Sequence, residues 1–283
     1  MVRAPLNHEG FAPEALLARL GSSPKDLSGA GPCRVLRGND LVAKFGPEDR
    51  IAREAFLLGE ASALMPVDLP VLVDSGPGWL LMEDAGDHPA AADDARPLAR
   101  LAPMHELFVG ATGIDHERFR DVFGRERDGL LGAARVSAAA ASLPDPLASL
   151  LDDPAPLVAI VEAEPRTLVH GDARPGNVLE DGPDGFVWLD WEEAGAGPAA
   201  FDLARWLHGS PKALGSPHRE GDLGAYVVAR EIAVDPAQFR RAVDAAAVLA
   251  FLLLDLAVLG TGDPAFSEGI VDRRNALASA FVA

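Results

Sequence analysis

The chain has 283 residues, enough for one large domain or two lobes with a real core. It is 48 % hydrophobic with a mean hydropathy of +0.10, which excludes disorder by composition. The longest apolar run, Val248 to Leu259, is short for a bilayer and is broken by Asp255, so no membrane span is expected.

A net charge of −18 and a pI of 4.7 argue against nucleic acid as a partner, because phosphate backbones demand basic patches. The same charge suits a cationic substrate, or serves only to keep the protein in solution. The first ten residues carry charges and a Pro but no signal-peptide core, which points to a cytoplasmic protein. Cys33 is the single cysteine, so no intramolecular disulfide and no cysteine-based metal cluster is available. A buried cysteine of this kind behaves as a small hydrophobe.

In chain order, Phe11 to Leu20 has helical apolar spacing and stops at Gly21. Ser28 to Pro32 is a turn containing Gly29 and Gly31. Cys33 to Arg37 predicts a strand, Gly38-Asn39-Asp40 a hairpin turn, and Leu41 to Phe45 the return strand. Lys44 lies in that return strand and is one of only three lysines, with Lys25 and Lys212. A strand Lys can project from a sheet toward phosphates; an exposed edge-strand Lys is the plainer alternative. A helix over Pro47 to Leu64 carries Glu54 and Glu60. Val71 to Val73 and Trp79 to Asp84 predict two more strands, and the polar, Pro-containing stretch Gly86 to Asp94 marks a lobe boundary.

Beyond it the pattern is mostly helical: Pro97 to Val109 with His105, His116 to Leu143, and Leu147 to Glu164 interrupted at Pro154 and Pro156. Thr167 to Asp190 breaks that pattern. Leu168-Val169 delivers His170-Gly171-Asp172, a polar loop ends at Asn177, Val178-Leu179 is a second apolar step, and Phe186 to Leu189 a third that ends on Asp190. This predicts strand, loop and β-hairpin. Asp172 in a tight loop can accept a proton from a hydroxyl, and Asn177 with Asp190 offers hard oxygen ligands suited to Mg²⁺. Trp191 to Pro198 predicts an acidic, glycine-rich loop and Phe201 starts a helix with Asp202 near its N-terminus. Helices over Tyr226 to Ile232, Pro236 to Leu259 and Pro264 to Phe281 complete the chain.

The string H-G-D-A-R-P-G-N-V-L at His170 to Leu179, followed by W-L-D-W-E at Trp188 to Glu192, resembles the catalytic and metal-binding segment of the aminoglycoside phosphotransferase family. The resemblance is tight over 167–207 and looser over 33–84. It implies an α+β, protein-kinase-like two-lobed fold, with a small β-rich nucleotide-binding lobe over 1–85 and a larger, mostly helical catalytic and substrate-binding lobe over 86–283. It implies Asp172 as catalytic base, Asn177 and Asp190 as Mg²⁺ ligands, and His170 and His105 as structural. Lys44, in V-A-K-F, would anchor the phosphates of ATP or GTP, with Glu54 orienting it and Glu60 in reserve. The stretch through Met82 and Asp84 would meet the adenine through its backbone. The family's G-D-P before D-L-A is altered here, with Gly197 in place of that Asp, and Asp202 is expected to brace the loop.

The expected activity is phosphorylation of a hydroxyl on a small, cationic molecule, either an aminoglycoside antibiotic or a metabolic amino alcohol or sugar amine of the choline, homoserine or fructosamine type. Glu192, Glu193 and Asp255 are candidate cation partners. Trp191, Phe201 and Trp206 could stack on a cation or pack the core. Two other classes stay open at this point: a metal hydrolase built on His170, Asp172 and Asp190, and a nucleotide-binding protein without catalysis.

Overall fold

The structure, a computed structural model, describes residues 14–28, 32–91, 94–111, 127–136, 142–183, 185–208, 219–230, 235–256 and 264–283. Gly29 and Gly31, most of the segment from His116 to Leu143, and Lys212 lie outside them. The chain divides into two units, Met1–Pro89 with Asn177–Glu192, and Ala90–Gly176 with Glu193–Ala283.

The first unit is built on an antiparallel five-stranded sheet in the order β1-β2-β3-β5-β4. Its strands are β1 (Lys25–Asp26), β2 (Arg34–Gly38), β3 (Leu41–Phe45), β4 (Leu72–Gly76) and β5 (Trp79–Glu83). Asn39 and Asp40 turn the β2–β3 hairpin with φ of 50° and 57°, the pair of left-handed residues that a two-residue hairpin turn needs. Alternate residues Leu36, Ala43, Phe45 and Leu81 point to one face and pack with Leu16 of helix α1 (Glu14–Arg19) and with Leu20 just past it. Helix α2 (Glu48–Leu58) opens with Glu48 and Asp49 in its first turn, where the exposed N–H groups favour acids. It ends at Gly59, short of the expected Leu64; Ser62–Leu64 is a separate 3-10 turn. A second hairpin, β7 (Val178–Asp181) with β8 (Gly185–Trp188), joins this unit: Trp188 N–H donates to Asp68 O at 3.0 Å and Glu180 N–H to His88 O at 2.8 Å.

The second unit is mostly helical: α3 (Arg96–Leu107), α4 (Arg127–Arg135), α5 (Asp145–Asp152), α6 (Ala155–Glu162), α7 (Ala199–His208), α8 (Arg219–Ala229), α9 (Pro236–Ala250) and α10 (Pro264–Val282). Here α7 packs on α9 and α3 on α8, around Leu98, Leu101, Trp206, Tyr226 and Phe239. Asp235 caps α9, accepting from the N–H groups of Ala237 and Gln238.

Two expectations are corrected here. Gly195–Pro198, expected as loop, is strand β9, paired antiparallel with β6 (Arg166–Val169). The helix expected over Pro236 to Leu259 runs as an α-helix to Ala250 and then as a π-helical turn, Phe251–Asp255; residues 257–259 lie outside the described residues. Among the described residues no helix is long and apolar enough to cross a membrane.

Candidate functional site

Among the described residues, each unit holds a cluster of charged side chains that includes candidate site residues. In the first, Lys44 stands on β3, an inner strand paired with both β2 and β5, and is 3 % exposed. An edge-strand role is therefore ruled out. Its ammonium donates to Glu54 Oε2 at 2.7 Å and to Asp190, and lies 2.8 Å from Glu192 Oε2. Burial opposes its charge, but Glu54, Asp190 and Glu192 more than offset this and hold Lys44 protonated well above the usual lysine range. Glu54 is 1 % exposed, and burial pushes its carboxyl up even beside Lys44. Its Oε1 accepts the Trp191 N–H at 3.1 Å, so Glu54 fixes both the lysine and the chain just past Asp190. Glu60, the reserve candidate, lies beyond the helix and is exposed.

Glu192 is not available to an outside cation. One oxygen meets Arg50 at 2.9 Å, the other meets Lys44 and the Cys33 thiol at 2.8 Å, and its carbonyl accepts from Arg53. Burial and Glu192 push the Cys33 thiol far up, which leaves it inert.

Asn177 precedes and Asp190 follows the paired strands of the β7–β8 hairpin at its open end, where Leu189 N–H, next to Asp190 in the chain, donates to Asn177 O at 2.8 Å. Asp190 has φ +66°, a left-handed backbone that Asp tolerates better than most side chains and that turns it out of the strand direction. Its side chain keeps 35 % of its surface accessible while one oxygen rests on Lys44. Oxygen donors alone, one of them a partly open carboxylate, fit a hard divalent cation such as Mg²⁺. Glu54, Asp190 and Glu192 have carboxylate oxygens within 4.8 Å of one another, but the cation they enclose is Lys44.

At the end of β5, Met82 is 9 % exposed and faces Val42 and Leu72 across the sheet. The N–H groups of Glu83 and Asp84 are spent on Val71 O and Asp40 O, and the Asp84 carboxylate takes Arg37 and the Gly86 N–H.

In the second unit, β6 leads to Asp172 through Gly171. That glycine has φ +84°, and a Cβ there would stand 2.2 Å from the Glu193 carbonyl oxygen, so only glycine fits. The loop is held from below by Asp202, which is fully buried. Its two oxygens accept from His170 N–H at 2.7 Å and Gly171 N–H at 2.9 Å. His105 Nε2 lies 3.2 Å from the same carboxylate, an acceptor-only group, so Nε2 carries the proton and Nδ1 accepts from Tyr226 O–H at 2.6 Å. Thr167 O–H donates to the His105 carbonyl at 2.6 Å, and Arg230 donates to the Tyr226 oxygen at 3.0 Å. Asp202 lies in the first turn of its helix, as expected, although the helix begins at Ala199 rather than Phe201, and its carboxylate braces the loop.

Two arginines that the sequence did not single out meet Asp172. Arg205 donates to Oδ1 from Nη2 at 2.5 Å and from Nε at 3.2 Å, and Arg174 donates to Oδ2 at 2.8 Å. Burial alone would raise this carboxyl, but Arg205 and then Arg174 pull it down to about 2. Asp255, expected as a cation partner for substrate, pairs with Arg205 at 3.3 Å. Arg205 was findable in principle: it lies three residues past Asp202, on the same helix face. Trp191 and Trp206 are fully buried and Phe201 is 2 % exposed, so all three are core residues with no ring face open to a cation.

Solved structures share this fold at low identity. A microcompartment-associated aminopropanol kinase superposes with a TM-score of 0.69 at 16 % identity over 94 % of each chain. A choline/ethanolamine kinase family protein from Mesorhizobium loti gives 0.65 at 20 %, over 95 % of this chain and 92 % of that one. An aminoglycoside phosphotransferase from Alicyclobacillus acidocaldarius gives 0.56 at 20 %, over 99 % and 96 %. No curated protein matches the sequence. Residues 27–264 match the model of the phosphotransferase enzyme family, and the chain is accordingly a member of that family, a small-molecule phosphotransferase of kinase-like fold.

Proposed function

We propose that the protein transfers the γ-phosphoryl group of ATP or GTP, with Mg²⁺, to a hydroxyl of a small amine, either an aminoglycoside or an amino alcohol. The observation that carries this is Lys44: a buried ammonium held charged by Glu54 and set against Asp190, whose side chain is partly open. A lysine so held is a fixed positive point for phosphate oxygens. The first lobe, over 1–85, would hold the nucleotide. Since the N–H groups of Glu83 and Asp84 are already used, the base would meet the carbonyls of the Met82–Asp84 stretch.

Asn177 and Asp190 would hold Mg²⁺, which when bound neutralises phosphate charge. Asp172 would orient the acceptor hydroxyl. The hydroxyl oxygen bonds to the γ-phosphorus, the bond from that phosphorus to the nucleoside diphosphate breaks, and the hydroxyl proton leaves through Asp172 to solvent. Most of the rate gain would come from positioning and charge neutralisation. A nucleotide-dependent reaction of this kind belongs in the cytoplasm, where the co-substrate is made. A metal hydrolase built on His170, Asp172 and Asp190 is the weaker reading, because Asp172 is paired with Arg205 and Arg174 and Asp190 with Lys44.

The test is ATP and GTP consumption with Mg²⁺ over a panel of aminoglycosides and amino alcohols, wild type beside Asp172→Ala. Turnover on one class, lost in the variant by about 10²–10⁴-fold, is expected for a residue in this role. Equal rates in both proteins would remove Asp172 from the reaction. Thermal stabilisation by Mg²⁺ alone, and none by nucleotide with Mg²⁺, would favour the hydrolase.

A further inference from the structure

The two oxygens of Asp172 are held in different ways. Oδ1 takes two N–H groups of Arg205, a side chain only 15 % exposed, at 2.5 and 3.2 Å. Oδ2 takes Arg174, whose side chain is 46 % exposed, at 2.8 Å. An exposed ion pair is weak and easily exchanged, because water screens it and its long side chain loses entropy by staying. A pair cut off from water is neither screened nor readily broken. Oδ2 is therefore the oxygen that can trade its partner for an incoming hydroxyl, and Oδ1 is the anchored one.

Arg205 is itself anchored. Its Nη1 lies 3.3 Å from Asp255 Oδ1, and Asp255 closes the π-turn Phe251–Asp255 that interrupts the helical run after Ala250. Inserted π-turns recur where a helix must re-aim a side chain at a functional site. One helix face completes the arrangement: Asp202 on α7 holds the N–H groups of His170 and Gly171, and Arg205, one turn on, holds the carboxylate that follows them.

We propose that Arg205, braced by Asp255, is a positioning residue that aims the Asp172 carboxylate through Oδ1 and leaves Oδ2 as its working oxygen. This rests on the reading of Asp172 as the group that meets the acceptor hydroxyl. Among the described residues, the charged groups acting on Asp172 include Arg205 from α7 and Arg174 and His170 from its own loop; behind Arg205 stand Asp255 and Arg274. A carboxylate so paired orients a hydroxyl strongly but keeps its proton poorly. A loose phosphoryl-transfer transition state asks little more of it.

The test begins without substrate, by titrating the full-length protein with ¹³C-carboxyl-labelled aspartate and assigning Asp172 by the resonance lost in Asp172→Asn. In the wild type the Asp172 carboxyl should not titrate between pH 4 and 8. In Arg205→Met, where burial is opposed by the half-exposed Arg174 and by His170, its midpoint should rise into that window. Arg205→Lys keeps a charge but not the two-pronged contact; its midpoint should stay low while kcat falls. Turnover is read with Mg²⁺-ATP and either kanamycin or ethanolamine. We expect kcat to drop at least tenfold in both Arg205 variants and in Asp255→Asn, with KM for ATP unchanged.

A wild-type carboxyl titrating in the ordinary Asp range overturns the proposal, even if Arg205→Met fails to fold. So does an Arg205→Lys protein with wild-type kcat. Loss of melting temperature and of ATP affinity together, in step with kcat, would mark Arg205 as merely structural. Asp172→Asn with full turnover would instead sink the reading of Asp172, a result distinct from loss in Asp172→Asn beside unaffected Arg205 variants.

Discussion

Replacing Lys44 by Met removes the ammonium that Glu54, Asp190 and Glu192 share, leaving Arg50 on Glu192; the three carboxylates have oxygens within 4.8 Å of one another. Two unit charges at that distance repel by about 3.5 kcal/mol at an effective dielectric of about 20. Three such pairs would exceed what a marginally stable protein tolerates, so the cluster should take up a proton instead. Glu54 is the group to take it, being fully buried with its carboxyl already pushed up. Protonating a carboxyl of ordinary pKa near 4.3 costs about 3.7 kcal/mol at pH 7 and about 1 kcal/mol at pH 5. Lys44→Met should therefore lose about 4 kcal/mol at pH 7, or roughly 10 °C of melting temperature, and regain most of it at pH 5.

The sign follows from proton linkage. In the variant the folded carboxyl binds its proton more tightly than the unfolded one, so stability rises as the pH falls from the folded pKa toward the unfolded value. Thermal unfolding of both proteins at pH 7 and 5 measures the gap. Mn²⁺ or Mg²⁺, offered three carboxylates with no lysine among them, should raise the melting point of the variant more than that of the wild type. A gap below about 1 kcal/mol at pH 7, or one that does not shrink at pH 5, would refute the argument, since it predicts at least a twofold change.

Two further substitutions probe the loop before Asp172. Asp202→Asn keeps the shape but turns an amide N–H₂ toward groups that themselves donate, the N–H groups of His170 and Gly171 and His105 Nε2. Losing hydrogen bonds to a charged acceptor should cost about 3 kcal/mol, read by urea unfolding, and a loss under about 1 kcal/mol would contradict the geometry. Gly171→Ala puts a methyl 2.2 Å from the Glu193 carbonyl oxygen at φ +84°. The left-handed backbone alone costs about 1–2 kcal/mol, so the variant should be destabilised by at least that much and should lose activity; wild-type stability would mean the loop is placed differently.

How much of this was legible in the sequence depended on whether the signal was local. The β2–β3 hairpin was, because Gly38-Asn39-Asp40 between two apolar runs has one common solution. The H-G-D loop and its hairpin were, because residue type and spacing repeat a family pattern. Gly195–Pro198 was not: a Gly-Ala-Gly-Pro string has no strand propensity, and it is extended because β6 supplies the hydrogen bonds. The break at Gly59 and the π-turn after Ala250 were missed because apolar periodicity runs on through both. The partners of Glu192 and Asp255 were not legible in the sequence for a different reason. Acids are common along this chain, and only the folded backbone shows that Lys44 and Arg50 meet one of them and Arg205 the other. Asp84 and Met82 carry no side-chain signature for a base, since a backbone contact leaves none.

The chain passes between its two units three times, at 89/90, 176/177 and 192/193. This has a consequence for synthesis on the ribosome. Lys44 and Glu54 leave the exit tunnel long before Asp190, which lies 146 positions after Lys44. At about 5–20 residues per second the wait is roughly 7–30 s. For that interval the sheet of the first unit exists without the hairpin that completes it, and a nascent Lys44–Glu54 pair stands without two of its three acids. The amino-terminal unit is thus finished late, by a segment translated inside the other one. A ribosome stalled between codons 90 and 177 should display this unit in a protease-sensitive form.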